Sequence, residues 1–150
     1  MELFRISLKQ FAKSLTASGY SNRWNRRGQN VIYTASSRSL AALEMITRSK
    51  DLIEQHEFKM MVIFVPDNEN LFEQVLVKSL PQDWRKPKAY SILQEIGSKW
   101  ITDQRSLLFK IPTALIPQEY SYVINIAHPD FKKNVKLVRV EDYLWDERLV

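Results

Sequence analysis

The 150-residue sequence contains no cysteine, which excludes a disulfide framework, a thiolate zinc site and an iron–sulfur cluster. Only two histidines are present, His56 and His128, so a histidine-rich metal site is equally remote. Three glycines, Gly19, Gly28 and Gly97, are too few and too scattered for a dinucleotide-binding glycine turn or a P-loop. Any nucleotide must be held by other means. Long apolar runs are also missing: the longest, Met60 to Val65, stops at Pro66 and is too short to span a bilayer. The first fifteen residues carry Glu2, Arg5, Lys9 and Lys13, unlike a secretory signal. The expectation is a cytosolic protein with no membrane contact.

What is present is enough for a core. Hydrophobic residues make up 45%, with four Trp, six Tyr and seven Phe, and one compact domain spanning residues 1–150 is the natural reading. Charge is uneven. Residues 1–50 hold nine Lys/Arg against two Asp/Glu, whereas residues 51–150 hold thirteen against fifteen. An anion is therefore expected in the N-terminal third.

Leu3–Ile6 predicts an opening strand and Leu8–Leu15 one or two helical turns. The stretch from Ser18 to Asn30 is polar and basic, too poor in apolar residues to be core, and reads as a functional or solvated loop. Val31–Ala35 is β-branched and aromatic, hence a strand, and Ser36 or Ser37 caps a helix over about Leu40–Ser49. Met60–Val65 reads as a central strand buried on both faces. Leu93, Ile96, Gly97 and Trp100 fall at helical spacing, giving an amphipathic helix over Ala89–Ile101 with a close-approach glycine. Strands are expected at Leu107–Ile111, Tyr122–Ile126 and Val135–Val140. The fold class is α+β, or mixed α/β, with a mixed sheet.

Three positions in the first third could carry chemistry: Arg23, Tyr33 and Glu44. On an ideal helix Glu44 lies ~40° from Leu40 and ~60° from Thr47, at the border of a stripe Leu40–Leu43–Thr47. Glu44 and Arg48 are also an i, i+4 pair, which on a solvated face explains both residues without any site. Arg23, beside Arg26 and Arg27, is either a loop charge or a fork for a pyrophosphate. Tyr33 is a core residue or a cleft edge.

The runs Gly19–Gly28, Val31–Ser36 and Ser39–Glu44 resemble the RES domain, named for its Arg, Glu and Ser. Ile111–Pro117, Asn125–Phe131 and Trp145–Leu149 follow the order of that family to the end of the chain. The resemblance implies an ADP-ribosyltransferase-like fold and the toxin of a bacterial toxin–antitoxin pair. Such a toxin consumes NAD⁺ by glycohydrolysis or phosphorolysis, with phosphate a possible co-substrate and no cofactor required. Its partner would be an Xre-like helix-turn-helix antitoxin, with a homodimer possible inside that complex. Carried over, Arg23, Tyr33 and Glu44 match the family's essential Arg, Tyr and Glu, and its serine falls on Thr113. Asn125 is implied as a further NAD contact, and His128 is a weaker candidate. Ser21-Asn22 stands where Gly-Gly is usual, and Ile126 where proline is usual. Two other readings stand beside it: a protein ADP-ribosyltransferase using the same site, and a basic nucleic-acid-binding module, drawn from the positive first fifty residues with Tyr20 and Trp24 among them.

Overall fold

The computed structural model describes all 150 residues. Seven strands form one mixed sheet in the order β4-β5-β6-β2-β1-β3-β7, namely β1 (Glu2–Leu8), β2 (Val31–Ala35), β3 (Phe58–Phe64), β4 (Phe72–Gln74), β5 (Leu108–Pro112), β6 (Tyr120–Asn125) and β7 (Lys136–Tyr143). The helices are α1 (Arg38–Ile53), α2 (Tyr90–Asp103) and the short α3 (Phe131–Asn134). β4 and β5 are parallel. The pairs β1/β2, β1/β3, β3/β7 and β5/β6 are antiparallel. This is the α+β class with a mixed sheet that the sequence predicts, with one strand, β4, beyond the six spans expected. No helix is long and apolar enough to cross a membrane.

Contacts group the chain into two units: Met1–Thr16 with Thr34–Asp67 and Asn134–Val150, and Ala17–Tyr33 with Asn68–Lys133. In the first, Phe4, Ile6, Phe58, Met60 and Val62 from β1 and β3 meet Leu40, Ala41 and Ile53 of α1 in a common core. Met60, Met61, Val62 and Ile63 are all at most 2% exposed, as a strand buried on both faces requires. α1 starts at Ser37, whose Oγ accepts the Leu40 N–H at 3.1 Å, satisfying one of the donors that a helix start leaves open. Ser49, the predicted helix end, has non-helical dihedrals, yet the helix resumes and runs to Ile53.

Two expectations in this unit need correction. The helical turns over Leu8–Leu15 reduce to one 3₁₀ turn, Lys9–Phe11. The stripe Leu40–Leu43–Thr47 is not the buried one: Leu40 and Ala41 are buried, Met45 and Ile46 pack partly, and Leu43 is 37% exposed. Adjacent Leu40 and Ala41 centre the buried face between them, and on an ideal helix Glu44 falls at ~40° within their ~100° arc.

In the second unit the core gathers Trp24, Val31, Trp84, Leu93, Trp100, Phe109 and Val123. Trp100 stacks on Phe109 at 4.7 Å, and Trp24 meets the edge of the same ring at 5.9 Å. The predicted solvated loop is therefore partly core, since Trp24 and Asn25 are each 1% exposed. α2 holds this loop at three points within about one turn. Gln94 Nε2 donates to the Asn22 carbonyl at 2.8 Å, and Ser98 Oγ donates to Gln29 Oε1 at 2.9 Å. Between them a Cβ on Gly97 would lie 1.8 Å from the Trp24 carbonyl oxygen. The close-approach glycine is thus where the loop backbone lies against the helix.

Gly97→Ala is expected to cost more than about 3 kcal/mol, because the clash is with backbone and cannot be relieved by a rotamer change. Chemical denaturation checks this: a midpoint within error of wild type would mean that the loop lifts off α2 at no cost.

Candidate active site

The segment Gly19–Gly28 closes on itself. The Gly28 N–H donates to the Gly19 carbonyl at 2.8 Å, and both glycines have positive φ, +75° and +89°, which other residues adopt only with strain. Within it, Asn22 and Asn25 form an isolated antiparallel bridge, making a tight turn with Arg23 and Trp24 at its tip. Asn22 Oδ1 accepts the Arg23 N–H at 2.8 Å, a local bond that a glycine here could not supply.

Asn25 is the buried hub. Its Nδ2 donates to the Tyr20 carbonyl at 2.9 Å and the Arg26 carbonyl at 3.2 Å. Its Oδ1 accepts the Tyr33 hydroxyl at 2.6 Å, and the same Tyr33 oxygen accepts the Trp24 N–H at 3.1 Å. Tyr33 on β2 therefore ties the Trp24 backbone to the Asn25 side chain. Its phenol tip is engaged with the loop that carries Arg23.

Arg23 is held in turn. Its Nη1 donates to the carbonyls of Trp84 and Arg85, both at 3.1 Å, and its guanidinium carbon lies 4.6 Å from the Tyr90 ring centroid, a cation–π distance. Nε and Nη2 make no bond within the protein. The guanidinium is thus oriented, with the three N–H donors of Nε and Nη2 left for an anion.

Thr113, directly after β5, is 2% exposed. Its N–H donates to the Glu119 carbonyl at 3.0 Å and its Oγ1 accepts the Leu115 N–H at 3.2 Å, which folds residues 113–119 into a turned loop. Asn125 is fully buried and works on backbone: Nδ2 donates to the Ile101 carbonyl at 3.3 Å and Oδ1 accepts the Ala127 N–H at 3.1 Å. It caps a carbonyl near the end of α2 and shapes a turn. His128 does the same, with Nδ1 accepting the Asp130 N–H at 3.1 Å and Nε2 3.1 Å from the Gln104 carbonyl. That pair of partners assigns the proton to Nε2.

Glu44 belongs to the first unit. Its side chain is 30% exposed, and Oε2 is 3.9 Å from Arg48 Nη2, a loose version of the expected i, i+4 pair. In the same unit, burial pushes the Arg5 guanidinium down to about 10, helped by the positive charge of Arg48. Arg5 thus remains protonated at neutral pH.

The structure brings Arg23, Tyr33 and Thr113 into one unit and places Glu44 in the other. Three residues escape sequence reasoning. Asn25 lies in the stretch read as a functional or solvated loop, and neither Arg5 nor Arg85 carries a sequence signal of a role. Only the position of Asn25 next to Trp24 hints at burial.

The RES domain family model matches residues 2–146. The chain belongs to the RES domain family. It is 30% identical over its whole length to "Toxin Res" of Photorhabdus laumondii, covering 97% of that protein. It is 31% identical to "Toxin Res" of Yersinia enterocolitica, covering 99% of each. A Sphingobium protein named "Prs ADP-ribosylating toxin" shares 33% identity over 85% of this chain and 80% of its own length. Among solved structures, the M. tuberculosis MbcT-MbcA toxin-antitoxin complex contains a similar fold, with a TM-score of 0.76 at 16% identity over 95% of this chain and 83% of that one.

Removing the Tyr33 hydroxyl tests the knot in this RES chain. Tyr33→Phe leaves Asn25 Oδ1 and the Trp24 N–H without that partner and is expected to lower stability by about 1–3 kcal/mol. A denaturation midpoint equal to wild type would show that the phenol merely borders the loop.

Proposed function

We propose that this RES protein is the toxin of a toxin–antitoxin pair and that it destroys NAD⁺ by cleaving the bond between nicotinamide and ribose. The observation that carries this reading is the oriented Arg23 guanidinium, tied through Nη1 to two carbonyls with the N–H groups of Nε and Nη2 left over. Such a fork suits a diphosphate. The positive excess of residues 1–50 adds long-range attraction for the same anion.

The chemistry needs few groups. The bond between the cationic pyridinium nitrogen and ribose C1′ breaks with its electron pair going to the nitrogen, so nicotinamide departs as a neutral base and no general acid is required. The ribose C1′ becomes oxocarbenium-like, and a fixed carboxylate stabilises that charge. Glu44 supplies the carboxylate and orients a ribose hydroxyl. Arg23 holds the pyrophosphate, and Tyr33 holds the Arg23 loop and borders the nicotinamide. The buried hydroxyl of Thr113 orders the loop after β5, beside a phosphate or ribose oxygen. An oxygen of water or phosphate then bonds to C1′, giving ADP-ribose with a released proton, or its phosphorylated form. Asn125 is left out of the contact set, because its amide is engaged by backbone.

A second reading, transfer of ADP-ribose to a protein side chain, is favoured by the printed name of the Sphingobium relative. Incubating the pure protein with NAD⁺, with and without phosphate and with a candidate protein acceptor, separates the outcomes by product. Intact NAD⁺ in every arm would end the enzymatic reading. As a partner we propose an Xre-like helix-turn-helix antitoxin that sets acidic groups near Arg23, Arg26 and Arg27 and keeps NAD⁺ out. A complex that consumes NAD⁺ at the free rate would remove that partner role.

Glu44→Gln is expected to fold normally and to lose at least about a hundredfold in NAD⁺ turnover, since an amide cannot balance the developing charge. Expressed alone, the wild-type chain is expected to arrest growth and the variant to relieve the arrest. Turnover within a few-fold of wild type would return Glu44 to a helix-surface pair with Arg48. Thr113→Ser should preserve or raise activity and Thr113→Val should lower it sharply. Equal rates for Val and Thr would show that the hydroxyl plays no part.

A further inference from the structure

Arg85 touches two proposed site elements through opposite ends of one residue. Its carbonyl accepts Arg23 Nη1 at 3.1 Å, and its own Nε donates at 2.7 Å to the carbonyl of Ala114, the residue that follows Thr113. The segment around it is stiff. The Trp84 N–H donates to the Pro81 carbonyl at 3.0 Å, Lys86 to Asp83 at 2.9 Å and Ala89 to Lys86 at 3.0 Å. Lys88 Nζ pairs with Asp83 at 2.7 Å. Trp84 is 4% exposed and anchors the segment in the core, whereas the Arg85 side chain is exposed. An exposed arginine clamped to a carbonyl contributes little to folding and much to where that carbonyl lies.

We infer that Arg85 is a positioning residue, setting the Thr113 loop at a fixed distance from the Arg23 fork. The inference rests on the proposed reading of Arg23 and Thr113 as substrate-binding groups. Arg85 itself acts through them. The carbonyls that hold Arg23 are backbone and survive any substitution at 85, so a side-chain variant releases only the Ala114 end. With that end free, the turn made by the Leu115 N–H and Thr113 Oγ1 (3.2 Å) samples other geometries, and the ground-state fit to the substrate weakens before chemistry does.

The test uses Arg85→Ala and Arg85→Lys in the full chain. For Arg85→Ala, amide hydrogen exchange at Leu115 should quicken about tenfold while Phe109 in β5 is unchanged. The KM for NAD⁺ should rise about tenfold with kcat within about threefold, as expected when a charge-assisted hydrogen bond that shapes binding is removed. Thermal midpoints should agree within about 2 °C. Arg85→Lys, which can still reach the Ala114 carbonyl, should recover most of the KM. Unchanged Leu115 exchange in Arg85→Ala overturns the link. Quickened exchange with unchanged KM overturns its role in the site, and so does a lowered kcat accompanied by a lowered melting midpoint. Wild-type protein that leaves NAD⁺ intact would instead sink the proposed activity, while the exchange rates still decide whether Arg85 sets the loop.

Discussion

No side chain larger than hydrogen can stand at Gly97, because the Trp24 carbonyl oxygen lies 1.8 Å from where a Cβ would be. That one exclusion lets the polar loop lie flat against α2. Once the backbone is down, the Trp24 indole reaches Phe109 and becomes core. Asn25 then has no route to solvent and must find partners inside. It finds them in the Tyr20 and Arg26 carbonyls and the Tyr33 hydroxyl. The direction of Arg23 follows, since both its chain neighbours on the Trp24 side are fixed. The arrangement has a cost. Trp24 Nε1 is buried without a hydrogen-bond partner, a penalty of about 1–3 kcal/mol. Burial of the large indole surface offsets it.

Legibility in the sequence follows how much of the information is local. β2 coincides with its predicted span, and α2 lies within two residues of its predicted ends, because β-branched clustering and helical spacing are properties of short windows. The buried centre of β3 is legible for the same reason. β4 has three residues, too few to show a period, and pairs parallel with distant β5. Only tertiary structure makes it a strand. The loop of residues 18–30 misleads through composition, which counts Asn25 as polar and therefore solvated. The residue is buried because its amide can serve backbone carbonyls and the Tyr33 hydroxyl at once, and composition carries no record of that.

The candidate site shows the same division. Residue type and order, as in the runs that contain Arg23, Tyr33 and Glu44, are legible as a resemblance, whereas the supporting contacts are not. Glu44 is instructive. Counting apolar residues selects Leu40, Leu43 and Thr47 and leaves the carboxylate at a border. The real face is centred on Leu40 and Ala41, and alanine is too small to dominate a hydrophobicity pattern. Glu44 is thus nearer the buried side than its pattern says, and its loose 3.9 Å approach to Arg48 is too long for a hydrogen bond.

Thr113 shows how little the turn after β5 depends on which hydroxyl residue stands there. A serine would offer the same oxygen to the Leu115 N–H and the same backbone bond to Glu119, so the turn after β5 does not depend on which hydroxyl residue is present. What threonine adds is a methyl, and at 2% exposure that methyl is placed in protein and out of solvent. It also stiffens χ1, because two heavy atoms on Cβ leave few rotamers. The oxygen is then committed to its turn more firmly than a serine's would be. The substitution trades rotamer freedom for order in the loop that Arg85 holds from the other side through Ala114, so both restraints act on the same few peptides next to β5.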